Sequence, residues 1–266
     1  MDNRPIGIFD SGLGGLTALK ELRQLLPQED LIYFGDTGRV PYGARSPQTL
    51  RRFAMENIRF LQSHDVKMIV AACGTISSIM TDEMTAGLEV PFTGVVKAAA
   101  LAACRATRSE CIGVIGTSAT IRSGSYLRII REVLPHARVT ACACPLFVPL
   151  VENGYIEENN PVTEFVARDY LSAFANQKPD TLVLGCTHYP LAKTFFRAAL
   201  PGVKAVSQDE LMAAKLENYL TRHPEIESLL TRGGTYRFEV SSLNRHAQKV
   251  AALLFPDIPV EKAADG

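Results

Sequence analysis

Two cysteines stand where thiols can do chemistry. In VKMIVAACGT (66–75) an apolar run ends on Cys73, followed by glycine and threonine; in TLVLGCTH (181–188) another ends on Cys186, followed by threonine and histidine. A cysteine between a strand's end and a helix's start lies near amide N–H groups, which lower a thiol's pKa from about 8.5 and increase the thiolate fraction at neutral pH. Taken singly, each is more simply a small buried hydrophobe. Two at matching places argue for reactivity. A thiolate can remove a proton from carbon on one face of a substrate while an opposing thiol delivers one to the other face, giving the mirror image with no cofactor. A disulfide reductase also uses two cysteines, but usually as C-x-x-C, and these are far apart in the chain.

Each thiol needs a neighbour that adjusts its protonation. Asp10, closing IGIFD, can serve Cys73 or cap the helix that follows it; His188 can serve Cys186 or be a satisfied polar residue in a Thr-His-Tyr-Pro turn. Glu152 follows the apolar PLFVPLV and can hydrogen-bond a base or cap a helix. The stretch SGLGG (11–15) can turn backbone N–H groups toward an anion. It lacks the lysine of a phosphate loop, and Thr17 stands where a dinucleotide pattern needs its third glycine, so a carboxylate is the expected guest and a plain tight turn the alternative. RVPYGARS (39–46) offers a Pro-Tyr-Gly turn whose backbone can take a second carboxylate. Cys104, Cys111, Cys142 and Cys144 lie within helix or strand patterns and are expected in the core; the C-x-C pair lacks a second pair with histidine, so no metal site is expected.

The elements that must position these residues alternate. PIGIFD, DLIYFGD, VKMIVAAC, CIGVIG, RVTACACPL and TLVLGC read as strands, and LTALKELRQLL, QTLRRFAMENIRFLQSH, YLRIIREVL and TEFVARDYLSAFAN as helices. Leu16, Leu19, Leu22, Leu25 and Leu26 share one helical face. Such alternation implies parallel βαβ units covered on both faces. The order also repeats: IGIFDSG (6–12) lines up with IGVIGTS (112–118), Leu26-Pro27 with Leu134-Pro135, Val40-Pro41 with Val148-Pro149, and IVAACGT (69–75) with LVLGCTH (182–188). The expectation is an α/β protein of two pseudo-symmetric parallel-sheet units, with Cys73 and Cys186 facing each other across one cleft, because ligands of open parallel sheets bind beyond the carboxyl ends of the strands. Segments 207–220 and 243–254 read as helices, and TYRFEVSS (235–242) as an antiparallel edge strand.

Composition sets limits. The 266 residues carry 28 basic and 28 acidic side chains, so no net field draws nucleic acid or an anionic membrane from a distance. MDNRPIGIF has no signal-peptide pattern, and VTACACPLFVPLV is too short to span a bilayer and holds two prolines. A cytoplasmic protein with reduced cysteines is expected.

Together FDSGLGGLT, YFGDTGRVPYG, AACGTISS, GVIGTSAT and LGCTHYPL, spread from residue 9 to 191, resemble the bacterial glutamate racemases. The resemblance implies metal-free, cofactor-independent interconversion of L- and D-glutamate, supply of D-glutamate to peptidoglycan, and usually a homodimer. It implies flavodoxin-like domains, the first of residues 1–97 with a returning tail of 208–266, the second of 98–207. Carried over by motif, Cys73 resembles the base acting on D-glutamate and Cys186 the one acting on L-glutamate, with Asp10, Glu152 and His188 as helpers. Ser11, Pro41, Tyr42, Gly43, Thr75, Thr117, Thr120 and Thr187 match positions that hold the substrate. Gly74 departs, because the family commonly has asparagine there and its side chain is expected to touch the amino acid. Losing one hydrogen bond costs about 0.5–1.5 kcal/mol, up to about tenfold in affinity. A racemase of aspartate or another amino acid, and a catalytically weak amino-acid-binding regulator, are the alternatives.

Overall fold

The computed structural model describes residues 2–27, 29–207, 234–243, 248 and 255–263. The first unit begins with β1 (Ile6–Asp10), α1 (Leu16–Leu25), β2 (Leu31–Gly35), α2 (Pro47–Gln62), β3 (Met68–Ala71), α3 (Gly74–Ile79), α4 (Asp82–Thr85) and β4 (Phe92–Gly94). The second holds α5 (Val96–Ala106), β5 (Cys111–Gly116), α6 (Ser118–Ser123), α7 (Ser125–Val133), β6 (Arg138–Ala143), α8 (Phe147–Glu152), α9 (Pro161–Leu171), β7 (Thr181–Leu184), α10 (Lys193–Ala199) and β8 (Lys204–Ser207). Then β9 (Tyr236–Val240) and β10 (Val260–Lys262) return to the first sheet, whose order is β10-β9-β2-β1-β3-β4; the second runs β6-β5-β7-β8. Among the described residues every pairing is parallel. The run β2-β1-β3-β4 has the same order as β6-β5-β7-β8, so the repetition in the sequence is a repetition of sheets.

The apolar runs are strands because both their faces are covered. Ile6 and Ile8 pack with Leu16, Leu19 and Leu22 of α1 on one face of the first sheet, and Phe9 packs with Leu50, Ile58 and Leu61 of α2 on the other. Ser46 caps α2 by accepting the Thr49 N–H, and Pro47 begins it where no N–H is needed. In the second unit Phe147, Phe174, Tyr189 and Phe196 fill one face of the sheet, and Ala99, Ala103, Tyr126 and Ile130 the other.

Three expectations change. The strand within 235–242 is parallel and internal: β9 lies between β2 and β10, with Phe238, Glu239 and Val240 buried. Its alternation suggested an antiparallel edge strand, but both its neighbours run parallel to it and β10 covers its outer edge. Val148-Pro149 is not a second Val40-Pro41 loop, because it lies in the first turn of α8, where proline removes an N–H that has no helical partner. Of the helices expected at 207–220 and 243–254, Ser207 ends β8 and almost all the rest lies outside the described residues.

Candidate active site

Where the strand order reverses, between β1 and β3 and again between β5 and β7, an open sheet has its ligand crevice beyond the strands' carboxyl ends. Asp10 ends β1, Cys73 follows β3, Thr117 follows β5 and Cys186 follows β7. All four are buried.

Cys73 is the N-cap residue of α3. Burial pushes its thiol up to about 12, and the Asp10 and Cys186 charges push the same way, while the Ile76 N–H and the Ser11 hydroxyl pull against them. Two consequences follow. At neutral pH Cys73 rests as the thiol, and it senses the charge of Cys186 across the cleft.

Cys186 has a different environment. Its Sγ lies 3.8 Å from His188 Nδ1, and His188 Nε2 lies 2.5 Å from Glu152 Oε1 at the end of α8. Burial works against a charge on His188, but the hydrogen bonds and charges of Cys186 and Glu152 outweigh it and hold the imidazole well above its usual range. The imidazole thus bridges Cys186 Sγ and the Glu152 carboxylate.

Asp10 ties the halves together. Its Oδ2 accepts the N–H groups of Gly12 at 3.1 Å and Gly15 at 3.0 Å, and its Oδ1 accepts the Thr187 hydroxyl at 3.3 Å. The glycine loop therefore spends two of its amides on a carboxyl group of the chain itself. That loop must be glycine for reasons of contact, since a Cβ at Gly14 would lie 2.6 Å from Thr187 Oγ1 and 2.8 Å from His188 Nδ1.

The threonines form a second seam. Thr75 Oγ1 is 2.9 Å from Thr117 Oγ1, which is 3.0 Å from Thr120 Oγ1 and caps α6 through the Thr120 N–H. Beside it Gly43 O accepts the Ala119 N–H at 2.9 Å, and a Cβ on Gly43 would meet Thr117 Cβ at 2.5 Å. The fold thus brings Asp10, Ser11, Gly43, Gly74, Thr75, Thr117, Thr120, Glu152, Thr187 and His188 around or beside the two thiols. Pro41 is exposed, following a cis Val40–Pro41 peptide. The Tyr42 phenol instead donates to Asp36, leaving only its backbone to a ligand.

Tyr33 was not among the expected site residues. Its phenol donates to Gly12 O at 2.8 Å, under the glycine loop. The signal was a lone tyrosine inside the apolar DLIYFGD, since a buried hydroxyl needs a partner.

The family model of the Asp/Glu/hydantoin racemases matches residues 16–208. A glutamate racemase of Chlorobaculum parvum is 50% identical over 222 residues, covering 82% of this chain and 80% of that protein. Among solved structures, a glutamate racemase isoform from Bacillus anthracis superposes with a TM-score of 0.91 at 31% identity, covering 99% of this chain and 98% of that one. The Francisella tularensis glutamate racemase, solved in complex with D-glutamate, gives 0.89 at 35% identity, covering 100% of this chain and 98% of that one. The chain belongs to the Asp/Glu/hydantoin racemase family and, within it, to the glutamate racemases, which are isomerases.

Proposed function

We propose that Cys73 and Cys186 are the two acid/base groups of a cofactor-independent interconversion of L- and D-glutamate. The observation that carries the reading is the pair of thiols at equivalent strand ends, close enough for one to sense the other's charge, each with its own proton partners. From L-glutamate, the Cys186 thiolate takes the α-proton. The C–H electrons delocalise into the substrate carboxylate, and the Cys73 thiol delivers its proton to the opposite face. His188, held by Glu152, is the proton partner of Cys186; Asp10 and Ser11 flank Cys73. The reverse reaction exchanges the two roles.

The substrate's carboxylates and amino group are assigned to Ser11, Thr75, Thr117, Thr120 and Thr187, to Gly74, and to the backbone of Pro41, Tyr42 and Gly43. The N–H groups of Tyr42 and Gly43 donate to no described group of the chain, which suits them to a carboxylate. The relative from Francisella tularensis supports glutamate as the guest. Residues 1–97 with 208–266 are assigned to one domain and 98–207 to the other, and the product to peptidoglycan synthesis in the cytoplasm. Among the described residues no helix is long and apolar enough to cross a membrane.

Optical rotation with purified protein tests the reading. Glutamate racemises, aspartate does not, and Cys73→Ala or Cys186→Ala each stops turnover. Full turnover in both variants would sink the two-thiol mechanism. Gly74→Asn, run alongside, lowers the KM for glutamate by up to about tenfold by adding one hydrogen bond.

A further inference from the structure

Asp36 has no task in that reaction, yet its carboxyl group is fully buried and bonded at both oxygens. Oδ2 accepts Arg39 Nε at 2.5 Å and the Tyr42 phenol, and Oδ1 accepts Ser241 Oγ at 2.8 Å. The phenol in turn accepts Asn57 Nδ2 at 3.1 Å, and Asn57 Oδ1 accepts Arg39 Nη2 at 3.0 Å. Arg39 also pairs with Glu56 and stacks 4.1 Å above the Phe53 ring. Burial, with the Asp36 charge, drives the Tyr42 phenol well above its ordinary range, so it stays a donor at any working pH.

This cluster belongs to a loop that crosses the cleft. At one end the Asp36 N–H continues the sheet onto Asp10 O at 3.0 Å; at the other, Gly43 O takes the Ala119 N–H of the second unit. Between them lie the Tyr42 and Gly43 amides assigned to a substrate carboxylate. The tail after β9 is laced to the same loop: Ser241 N–H to Gly35 O at 3.0 Å, Gly38 N–H to Ser241 Oγ at 2.9 Å, Thr37 hydroxyl to Ser242 O at 2.5 Å, and Ser242 N–H back to Thr37 Oγ1 at 3.0 Å. A surface staple would need none of the reach to Tyr42. Here the phenol is the handle by which a buried acid and a distant serine hold the backbone beside the substrate.

We infer that Asp36 and Ser241 are positioning residues for substrate binding, fixing the Pro41–Gly43 backbone through the Tyr42 phenol. The inference rests on the proposed glutamate site. A loosened loop must be ordered by the substrate, which weakens binding before it touches the thiols. Because the equilibrium constant of a racemisation is one, kcat/KM must change equally for the two enantiomers, so both KM values rise together.

The test measures kcat and KM for L- and D-glutamate, glutamate Kd by calorimetry, and melting temperature, in wild type, Ser241→Ala, Ser241→Thr, Tyr42→Phe and Asp36→Asn. Ser241→Ala and Tyr42→Phe are expected to raise KM and Kd about three- to tenfold for both enantiomers, with kcat within about twofold. Ser241→Thr, which keeps the hydroxyl, restores both constants. A lower melting temperature with unchanged KM and Kd in Ser241→Ala and Tyr42→Phe would show a merely structural cluster and overturn the inference, as would a fall in kcat alone. Should Asp36→Asn fail to fold, Ser241→Ala and Tyr42→Phe still decide between the two outcomes. Loss of the glutamate reading is distinguishable, because wild type itself would then neither racemise nor bind glutamate.

Discussion

At the scale of single residues, the two halves of the cleft hold their protons differently. Cys73 is a buried thiol kept protonated, whereas Cys186 has a charged imidazole beside it. In the proposed reaction from L-glutamate, Cys73 is the thiol that gives up a proton, which its buried, protonated state suits. His188 also makes a prediction about pH. Its folded-state pKa lies above the unfolded value near 6.5, so the interactions of the charged imidazole with Cys186 and Glu152 contribute fully below about pH 6.5 and fade as pH rises through the folded value. The stability gap between wild type and His188→Ala, measured by urea denaturation, should be widest near pH 6 and narrow steadily on the alkaline side. A gap that widens with pH would contradict the assignment. Gly74 stands directly after Cys73 at the start of α3.

At the scale of elements, close backbone approach decides what the cleft tolerates. Gly43 leaves no room for a methyl group against Thr117, so Gly43→Ala must push the Pro41–Gly43 loop away from α6. Such overpacking costs about 1–3 kcal/mol, and displacement of a binding loop should lower kcat/KM by about ten- to a hundredfold with the fold retained by circular dichroism. Unchanged kinetics would mean that this seam is not part of the site. The elements also explain what could be read in advance. Strands β1, β2, β3, β5 and β7 are buried throughout and stand out as apolar runs. The short β4 is only half-buried, α3 and α6 span six residues each, and the alanine-rich α5 offers little contrast between its faces, so none announced itself. The paired cysteines were legible because the repeat put them at equivalent strand ends. The Asp36–Ser241 bond was not, since it joins groups 205 positions apart and leaves no local pattern.

At the scale of the whole molecule, the two sheets share one order, and the tail adds two strands to the first. A homodimer is proposed, and an apolar surface is present for it: Phe165 is 73% exposed, with Val162 one helical turn before it and Tyr155 also open. Sedimentation at micromolar concentration should give a dimer for wild type and a shift to monomer for Phe165→Glu; a dimer unaffected by that change would place the interface elsewhere.

The two-thiol mechanism is tested most directly by the isotope of the α-hydrogen. Starting from L-glutamate in deuterium oxide and stopping early, the D-glutamate formed should carry deuterium while the remaining L-glutamate keeps its protium, because the proton removed and the proton delivered sit on different sulfurs. D-glutamate that retains the original protium, or L-glutamate that gains deuterium as fast as product appears, would contradict it.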